Sequence, residues 1–323
     1  MCRRSFQFQL LPAYIVVLLS MRMVVIGVDS GVRDAGIHCV ERERRALLMF
    51  KRELIDEDDI LSSWATDEEN KNCCNWMGVH CSNRTGHVIR LNLGSNSLGG
   101  NISSSLLGLQ HLYHLDLSEN YFGWYTPVPD FIGSLSNLRY LNLSFSFFSG
   151  TLPYQLGNLS NLHALDLSWN YDMYFSNLEW LSHLPHLEYL DMRDVNLSSA
   201  IDWQQATNGL SFLTHLYLGG CGLSQIVPPS PHQVNHSSSL LVLDLSENNL
   251  NSSIYQWVFN FSSNLVQVDL SSNNLQGPIP EAFGRLCGLK SLLLYMNELS
   301  QKLSGLFETL LGGCGGHLFE ILD

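Results

Sequence analysis

One short phrase recurs at nearly constant spacing along most of this chain, with the pattern Leu-x-Leu-x-x-Asn. Its successive copies begin 24 to 27 residues apart. That period lies inside the window of about 20–29 residues typical of leucine-rich repeats and outside the periods of ankyrin, tetratricopeptide and propeller repeats. The chain is therefore predicted to be a repeat protein with nine units, whose lead positions are Leu91, Leu115, Leu141, Leu165, Leu190, Leu216, Leu243, Val268 and Leu292.

Each phrase predicts one short β-strand. In the eighth unit, Val268 and Leu270 alternate with polar residues, which places both aliphatic side chains on the same face of a strand. One strand cannot bury these side chains alone, so neighbouring units must stack and pair in parallel around a shared core. The predicted fold class is an α/β repeat solenoid, a leucine-rich-repeat horseshoe with a parallel β-sheet on its concave face.

The asparagine of each phrase is predicted to satisfy backbone groups at the turn that leaves the strand, because the ladder no longer reaches them there. Three units carry Ser146, Val195 or Cys221 at this position. Cysteine also fits this position of the repeat, whereas valine cannot hydrogen-bond, so a local irregularity is expected at Val195. The asparagines are Asn96, Asn120, Asn170, Asn248, Asn273 and Asn297.

The second half of the units carries Gly-x-Ile-Pro or a variant of it. The clearest examples are residues 150–153 and 277–280. Glycine permits a turn and proline ends strand pairing, so this segment is predicted to be a short outer strand rather than a helix on the convex side.

The amino terminus has the layout of a secretory signal peptide. Arg3 and Arg4 precede an apolar run over residues 10–19, and small or polar residues follow. The alternative is a signal anchor that stays in the membrane, which Arg22 disfavours by interrupting the apolar stretch. No other segment is long and apolar enough to cross a bilayer, so the mature chain is expected to be soluble in the secretory pathway.

The predicted domain organisation follows from the signal, the cysteines and the repeat. It consists of a signal peptide over residues 1–30, an N-terminal cap over 31–86, nine leucine-rich repeats over 87–317 and the start of an incomplete tenth repeat over 318–323.

Cysteine and sequon usage agrees with a secreted chain. The four cysteines ahead of the first repeat allow three pairings that would staple a cap, and a zinc site is the disfavoured alternative because Cys73 and Cys74 are adjacent. Cys287 and Cys314 precede two successive units and are predicted to form a disulfide, which leaves Cys221 as a buried thiol. The cap cysteines are Cys39, Cys73, Cys74 and Cys81.

Eight Asn-x-Ser/Thr sequons predict a glycosylated surface. Serine and asparagine are also abundant in the repeat itself, which accounts for some of the matches. The predicted glycosylation sites are Asn83, Asn101, Asn142, Asn158, Asn196, Asn235, Asn251 and Asn260.

A charged helix over residues 40–55 is predicted to cover the open end of the solenoid. One face carries Ala46, Leu47, Phe50 and Leu54, which would pack on the first repeat. Trp64 and Trp76 are expected to complete the core of the cap.

These cap residues resemble a known family. The segments Cys-Val-Glu-Arg-Glu-Arg-Arg-Ala-Leu-Leu-Met-Phe-Lys from Cys39, Leu-Ser-Ser-Trp from Leu61, and Cys-Cys-Asn-Trp-Met-Gly-Val-His-Cys from Cys73 are similar to the cap of plant extracellular leucine-rich-repeat proteins. The closest match is to receptor-like proteins that lack a kinase and often sense microbial elicitors. The resemblance implies pairing of the cap cysteines in chain order, Cys39–Cys73 and Cys74–Cys81.

The resemblance also carries differences. Such receptor-like proteins have more repeats, an irregular island, a carboxy-terminal cap and one transmembrane helix, and none of these is recognisable here. The last residues, 319–323, stop where the next strand leucine is due. The chain is therefore interpreted as a truncated receptor-like protein that has no membrane anchor of its own.

The sequence predicts no enzyme, no metal site and no cofactor. The pairs His111/His114 and His183/His186 are expected to be solvated, because neither lies in a metal-binding pattern. A row of aspartates after the lead residues is interpreted as a solvated ladder. Nucleic acid is excluded by the net charge of −13, since such binding rests on Lys and Arg. The row consists of Asp116, Asp166, Asp191, Asp244 and Asp269.

Ligand binding is predicted on the concave face, where outward strand positions of units three to six carry aromatic and arginine side chains. The alternative is that these side chains pack across adjacent strands and stiffen the sheet. A glycan on Asn142 would stand on the same face. The candidate ligand-binding residues are Tyr140, Phe145, Trp169, Tyr189, Arg193 and Tyr217.

The predicted function is an extracellular ligand-binding domain of a receptor-like protein in plant defence or developmental signalling. Its partners would be a protein, peptide or glycan ligand and a co-receptor kinase, at the apoplastic face of the plasma membrane. One alternative is a secreted protein similar to polygalacturonase inhibitors, which the number of repeats favours. Another is a non-functional truncated gene product.

Overall fold

A computed structural model describes residues 38–65, 71–122, 126–224, 239–261, 264–300 and 321–322. The signal peptide predicted over residues 1–30 lies outside these residues. In the described residues a cap precedes a stack of repeats. The cap begins with helix α1 (Glu41–Glu53), followed by strand β1 (Leu54–Ile55) and a short 3₁₀ helix at Cys73–Asn75.

One long sheet runs through the described repeats. All of its neighbouring strands are parallel except the first pair, which is antiparallel. Because every strand holds only a few residues, each repeat adds one rung to the sheet before the chain turns outward. In spatial order the strands are β2 (Val79–Cys81), β3 (Val88–Asn92), β5 (His114–Asp116), β6 (Tyr140–Asn142), β8 (Ala164–Asp166), β10 (Tyr189–Asp191), β11 (His215–Tyr217), β12 (Val242–Asp244), β13 (Gln267–Asp269), β15 (Ser291–Leu293) and β17 (Ile321–Leu322).

The nine predicted lead positions pair with one another in register. Leu91 faces Leu115 at the start of the series, and Val268 faces Leu292 at its end. All nine are completely buried. The predicted solenoid with a shared aliphatic core is therefore confirmed.

The outer segments follow the Gly-x-Ile-Pro pattern only in part. Short outer strands form in several units, with or without glycine, and 3₁₀ helices follow some of them, for example at Tyr154–Asn158. The outer strands are β4 (Gly99–Gly100), β7 (Ser149–Thr151), β9 (Asp172–Tyr174), β14 (Gln276–Gly277) and β16 (Glu298–Leu299).

The fifth and seventh units contradict the prediction that the outer segment is a strand rather than a helix. They form helices α2 (Trp203–Asn208) and α3 (Ile254–Val258). Neither unit carries the glycine and proline that would shape an outer strand. The helices instead bury Trp203 and Trp257, whose rings meet edge to face at 5.0 Å.

The turn asparagines do what the phrase predicts. Asn120 donates its amide to the carbonyl oxygens of Leu93, Leu117 and Ser118 at 2.8–3.0 Å and accepts the N–H of Leu98. This links two successive repeats through one buried side chain.

The two described turns without asparagine or serine differ from each other. Cys221 places its thiol 3.0 Å from the Met192 carbonyl, so it replaces one of the amide bonds. Beside Val195, backbone bonds run from Asn196 N–H to the Met173 carbonyl and from Phe175 N–H to the Asn196 carbonyl. Strand β10 nevertheless stays in register with both of its neighbours.

The cap closes one end of the core. Helix α1 buries Ala46, Leu47 and Phe50, and the Trp64 and Trp76 rings stack at 5.5 Å. The disulfides Cys39–Cys73 and Cys74–Cys81 are present, in the pairing that the resemblance implies, and they replace the zinc alternative. Strand β1 pairs with β4, and this pairing requires glycine at position 100. A Cβ on Gly100 would lie 2.3 Å from the Glu53 carbonyl oxygen, which is too close.

The remaining cysteines are partly described. Cys221 is a buried free thiol, as predicted. Cys287 is disulfide-bonded, and its predicted partner Cys314 lies outside the described residues, so that pairing stays a prediction. Within the described ranges, no helix has the length and apolarity needed to span a membrane.

Candidate functional site

The six predicted ligand-binding residues fall into two places. Four of them lie on or directly after the strands of the concave face: Tyr140, Tyr189, Arg193 and Tyr217. Phe145 and Trp169 lie instead in the turns that leave β6 and β8, with φ values of 49° and 60°. The sequence placed all six on outward strand positions, but the strands end after three residues, so the turns begin earlier than the alternation suggests.

The central cluster consists of Tyr189, Asp191, Arg193, His215 and Tyr217 on β10, β11 and the turn after β10. Asp191 is completely buried and accepts Arg193 Nε at 3.0 Å, Arg193 Nη2 at 2.5 Å and the Tyr189 hydroxyl at 3.2 Å. The guanidinium carbon of Arg193 lies 4.9 Å from the centroid of the Tyr217 ring, and the rings of Tyr189 and Tyr217 are 5.5 Å apart.

The titration of the central cluster follows from this packing. Burial opposes the charge of Arg193, but the adjacent Asp191 carboxylate outweighs burial and raises the pKa of the guanidinium. Burial, together with the negative charge of Asp191, raises the pKa of the hydroxyls of Tyr189 and Tyr217. The cluster therefore presents a charged guanidinium between two neutral phenols. Tyr217 is only 5% exposed, so part of this aromatic area stiffens the sheet.

The aspartate row is not the solvated ladder that the sequence predicts. Three of its members, Asp116, Asp191 and Asp244, are buried. Asp116 and Asp244 each accept the backbone N–H and the hydroxyl of the serine two residues later, Ser118 and Ser246. Neighbouring repeats lie so close that adjacent side chains shield the row from water.

Shielding changes the acidity of the row. Burial, and next the charge of Asp191, raises the pKa of Asp166 to about 7. Burial and the charge of Asp244 raise the pKa of Asp269 to about 6. Burial and the charge of Glu247 raise the pKa of Asp194, beside the row, to about 6.

An exposed strip of aromatic rings lies along the turns of units two to four, and we call it the aromatic edge. Its outermost members are between 39% and 60% exposed. Tyr121 stacks on Phe147 at 5.5 Å, Phe145 lies 5.8 Å from Phe147, and Trp169 meets Tyr171 edge to face at 6.2 Å. The aromatic edge consists of Tyr121, Phe145, Phe147, Trp169 and Tyr171.

The sequence analysis missed three members of the aromatic edge. Tyr121, Phe147 and Tyr171 each follow the turn asparagine or its substitute, a position that the strand alternation does not reach. The signal that could have found them is the recurrence of an aromatic residue at this same position in three successive repeats.

The sequons differ in accessibility. Asn142 is 1% exposed, its amide donates to the Tyr140 hydroxyl, and its oxygen accepts the Ser144 N–H. Burial of Asn142 argues against a glycan on the concave face, and glycosylation of the sequons stays a prediction. Asn260 is partly exposed, Asn235 lies outside the described residues, and the exposed sequons are Asn83, Asn101, Asn158, Asn196 and Asn251.

The histidine pairs behave differently from one another. His183 and His186 are exposed, as expected. His114 is buried and stacks on Tyr140 at 4.1 Å, and burial lowers its pKa to about 3, so the expectation of a solvated side chain is wrong there. His111 instead faces the cap, beside Glu43 and His87.

Two protein-family models match parts of the chain. A model described as the leucine rich repeat N-terminal domain matches residues 40–82, and a leucine rich repeat model matches residues 137–159, 212–233 and 264–286. The chain is 41% identical to receptor-like protein EIX1 of Solanum lycopersicum over 87% of its own length. It spans 28% of the length of that relative.

Solved structures show the same fold at low sequence identity. A plant ice-binding protein is 22% identical with a TM-score of 0.60, and 82% of this chain and 89% of that protein are covered. The Arabidopsis receptor kinase HAESA, in a complex with the peptide hormone IDA and the co-receptor SERK1, is 23% identical with a TM-score of 0.55, covering 80% of this chain and 54% of HAESA.

Proposed function

Because this chain belongs to the leucine-rich-repeat proteins and has plant receptor-like proteins as close homologues, we propose that it is an extracellular recognition domain that binds an extended peptide segment of a protein ligand. It acts by binding rather than by catalysis. The cap disulfides support an oxidising compartment.

The observation that carries this proposal is the aromatic edge. Its rings lie on three successive turns, and all of them except the half-buried Trp169 are exposed although they are large and apolar. Exposed clusters of this kind mark binding surfaces, because tyrosine and tryptophan bury much area at low entropic cost. A peptide laid across the repeats would meet one turn after another.

The central cluster extends the same surface onto the concave face. Trp169 donates its backbone N–H to the Arg193 carbonyl, so the turn that carries Trp169 adjoins the turn that carries Arg193. The guanidinium keeps its charge and lies over an aromatic face. It would contact an acidic or carbonyl group of the ligand beside the aromatic contacts.

HAESA, which has the same fold, forms a complex with a peptide hormone and a co-receptor. By analogy, we propose a co-receptor kinase as second partner of this chain. Both partners belong to the proposal and rest on the fold rather than on shared site residues.

The proposal is tested with the double variant Trp169→Ala/Tyr189→Ala. Peptides selected from a displayed random library on the wild-type chain would be measured against both proteins by biolayer interferometry. We expect affinity to fall at least tenfold, which corresponds to about 1.4 kcal/mol, because one ring of the aromatic edge and one ring of the central cluster are lost.

The matched control is Tyr154→Ala. Tyr154 is an exposed aromatic residue in the 3₁₀ helix of an outer segment, away from the aromatic edge. Peptide affinity should be unchanged in this variant. If the double variant binds as tightly as Tyr154→Ala, the aromatic edge and the central cluster are not the binding surface.

A further inference from the structure

A carboxylate and two imidazoles meet where the cap packs on the first repeats. Glu43 comes from α1, His87 precedes β3, and His111 precedes β5. The Oε1 atom of Glu43 lies 2.9 Å from Nδ1 of His87 and 3.7 Å from Nδ1 of His111. The two imidazole rings stack with centroids 3.7 Å apart.

Glu43 is unusually placed for a carboxylate, since it is only 2% exposed. Its second oxygen, Oε2, accepts the backbone N–H of Val88 at 2.6 Å. The neighbouring arginines of α1, Arg44 and Arg45, form their ion pairs with Glu41. A buried carboxylate is costly unless a cation compensates it, and the imidazoles of His87 and His111 both face this one.

From this geometry we propose that Glu43, His87 and His111 form a binding site for a divalent transition-metal ion of the zinc class. Each residue supplies one ligand atom, and these three atoms all lie within 4.8 Å of one another. Neutral imidazole nitrogens and carboxylate oxygens are ligands that zinc accepts, and a set of three leaves one position for water.

The distances fit such a site after a small adjustment. Two ligands of a tetrahedral zinc ion are about 3.3 Å apart, since each bond is about 2.0–2.1 Å long. The two distances from Glu43 Oε1 lie on either side of this value. The Val88 N–H holds Oε2 and leaves Oε1 directed at the imidazoles, which is the orienting role that groups behind a metal ligand play.

The two imidazoles are accessible to an ion from solvent. The His111 side chain is 52% exposed and that of His87 is 31% exposed, so an ion reaches the imidazoles from solvent while Glu43 closes the inner side. The bound ion would join the cap helix to two successive repeats. The cap would then be tied to the solenoid by a metal in addition to its apolar contacts. None of this depends on the proposed ligand.

The test uses the full chain without a histidine tag, stripped with chelator and titrated calorimetrically with zinc chloride near neutral pH. We expect a zinc site in the wild-type chain whose affinity falls at least tenfold in His87→Ala and in His111→Ala. Added zinc should also raise the Tm of the wild type by several degrees and leave that of His111→Ala unchanged, since ions that bind only the folded state stabilise it.

The structure offers a matched control. His163 and His186 are a second stacked imidazole pair, with centroids 5.9 Å apart, and His163 Nδ1 lies beside the Asn161 carbonyl rather than a carboxylate. The double variant His163→Ala/His186→Ala should bind zinc as the wild type does. Cobalt chloride gives an independent readout, because four-coordinate cobalt absorbs strongly in the visible range.

Glu43→Gln separates charge from packing, since glutamine can still accept the Val88 N–H while it lacks the anionic oxygen. Zinc affinity should fall in this variant as well. His111→Ala keeps the test decisive if Glu43→Gln fails to fold, because His111 is largely exposed. The proposal is overturned if the wild type binds zinc with a Kd above about 1 mM, or if His111→Ala binds zinc as tightly as the wild type. It is also overturned if the control variant His163→Ala/His186→Ala loses zinc affinity to the same extent.

Discussion

At the scale of single residues, the aspartate row shows what strand alternation can and cannot predict. Alternation gives the correct direction, since these side chains do leave the strand away from the leucine core. It does not predict how far each side chain is exposed to solvent, because the residues that shield it lie about 25 positions away in sequence and are brought alongside by the fold. The raised pKa of Asp166 is a direct result of that shielding.

The first prediction concerns the pH dependence of stability. The folded-state pKa of Asp166, about 7, is raised above the usual value near 3.8 by burial and by Asp191. The folded state therefore holds a proton that the unfolded chain has lost between these two values, so this group destabilises the fold increasingly as pH rises through that window. The difference in Tm between Asp166→Asn and the wild type should therefore rise in favour of the variant from pH 4 to pH 7.

The control for this prediction has the opposite sign. Burial lowers the pKa of His114 to about 3, so the unfolded chain binds a proton below pH 6.5 that the folded chain does not take up. His114 thus costs stability as pH falls from 6.5 towards 3. Relative to wild type, His114→Phe should gain stability on acidification. A pH-independent difference in both variants would contradict the assigned causes.

The second prediction concerns the turn asparagines. Asn170 donates to the carbonyl oxygens of Leu143, Leu167 and Ser168 and accepts the Phe148 N–H. Asn170→Ala leaves these buried groups without a partner, so it should lower the free energy of unfolding by about 1–3 kcal/mol or more in urea denaturation.

Asn96→Ala is the internal control for Asn170→Ala. Asn96 belongs to the first unit, where its amide donates to the Gly94 carbonyl within its own turn. Asn96→Ala should therefore lower the free energy of unfolding clearly less than Asn170→Ala does. Equal losses in the two variants would show that the hydrogen bonds between repeats do not contribute to stability.

At the scale of elements, the parts predicted correctly are those fixed by a repeated pattern. The strands follow from the period of the lead residues, and the cap helix follows from Ala46, Leu47 and Phe50 on one face. The helices α2 and α3 could not be predicted from the repeat, because they form where the pattern is lost. There, large side chains such as Trp203 and Trp257 fill the space that an outer strand leaves open.

The third prediction tests this replacement of outer strands by helices. The Trp257 ring lies against Trp203 and Phe261, and its Nε1 donates to Asn208 Oδ1 at 3.1 Å. Trp257→Ala should lower the free energy of unfolding by about 3–5 kcal/mol, because it opens a cavity between α2 and α3. Trp257→Phe keeps an aromatic ring and should lose less. Similar losses in chemical denaturation would mean that the site collapses around either residue.

At the scale of the whole molecule, the sheet joins features that lie far apart in sequence. The central cluster draws on two repeats and the aromatic edge on three, so neither is a local motif. The sequence could identify Tyr189, Arg193 and Tyr217 as outward residues, since each follows the strand pattern. It could not show that Asp191 is buried beneath Arg193, because that depends on how the guanidinium turns back to Asp191 and lies against the Tyr217 ring of the next strand.

The final prediction concerns the charge of the molecule. At a net charge of −13, like charges repel one another across the surface and oppose the compact state. Raising sodium chloride from 20 to 500 mM shortens the Debye length from about 20 Å to about 4 Å and screens this repulsion. The buried pair of Asp191 and Arg193 is screened much less. The Tm at pH 8 should therefore rise with salt by a few degrees in differential scanning fluorimetry.

Near the isoelectric point of 5.3 the same salt step should have little effect, because the net charge is then close to zero. A Tm that falls with salt at pH 8 would mean that attractive pairs outweigh the acidic surface.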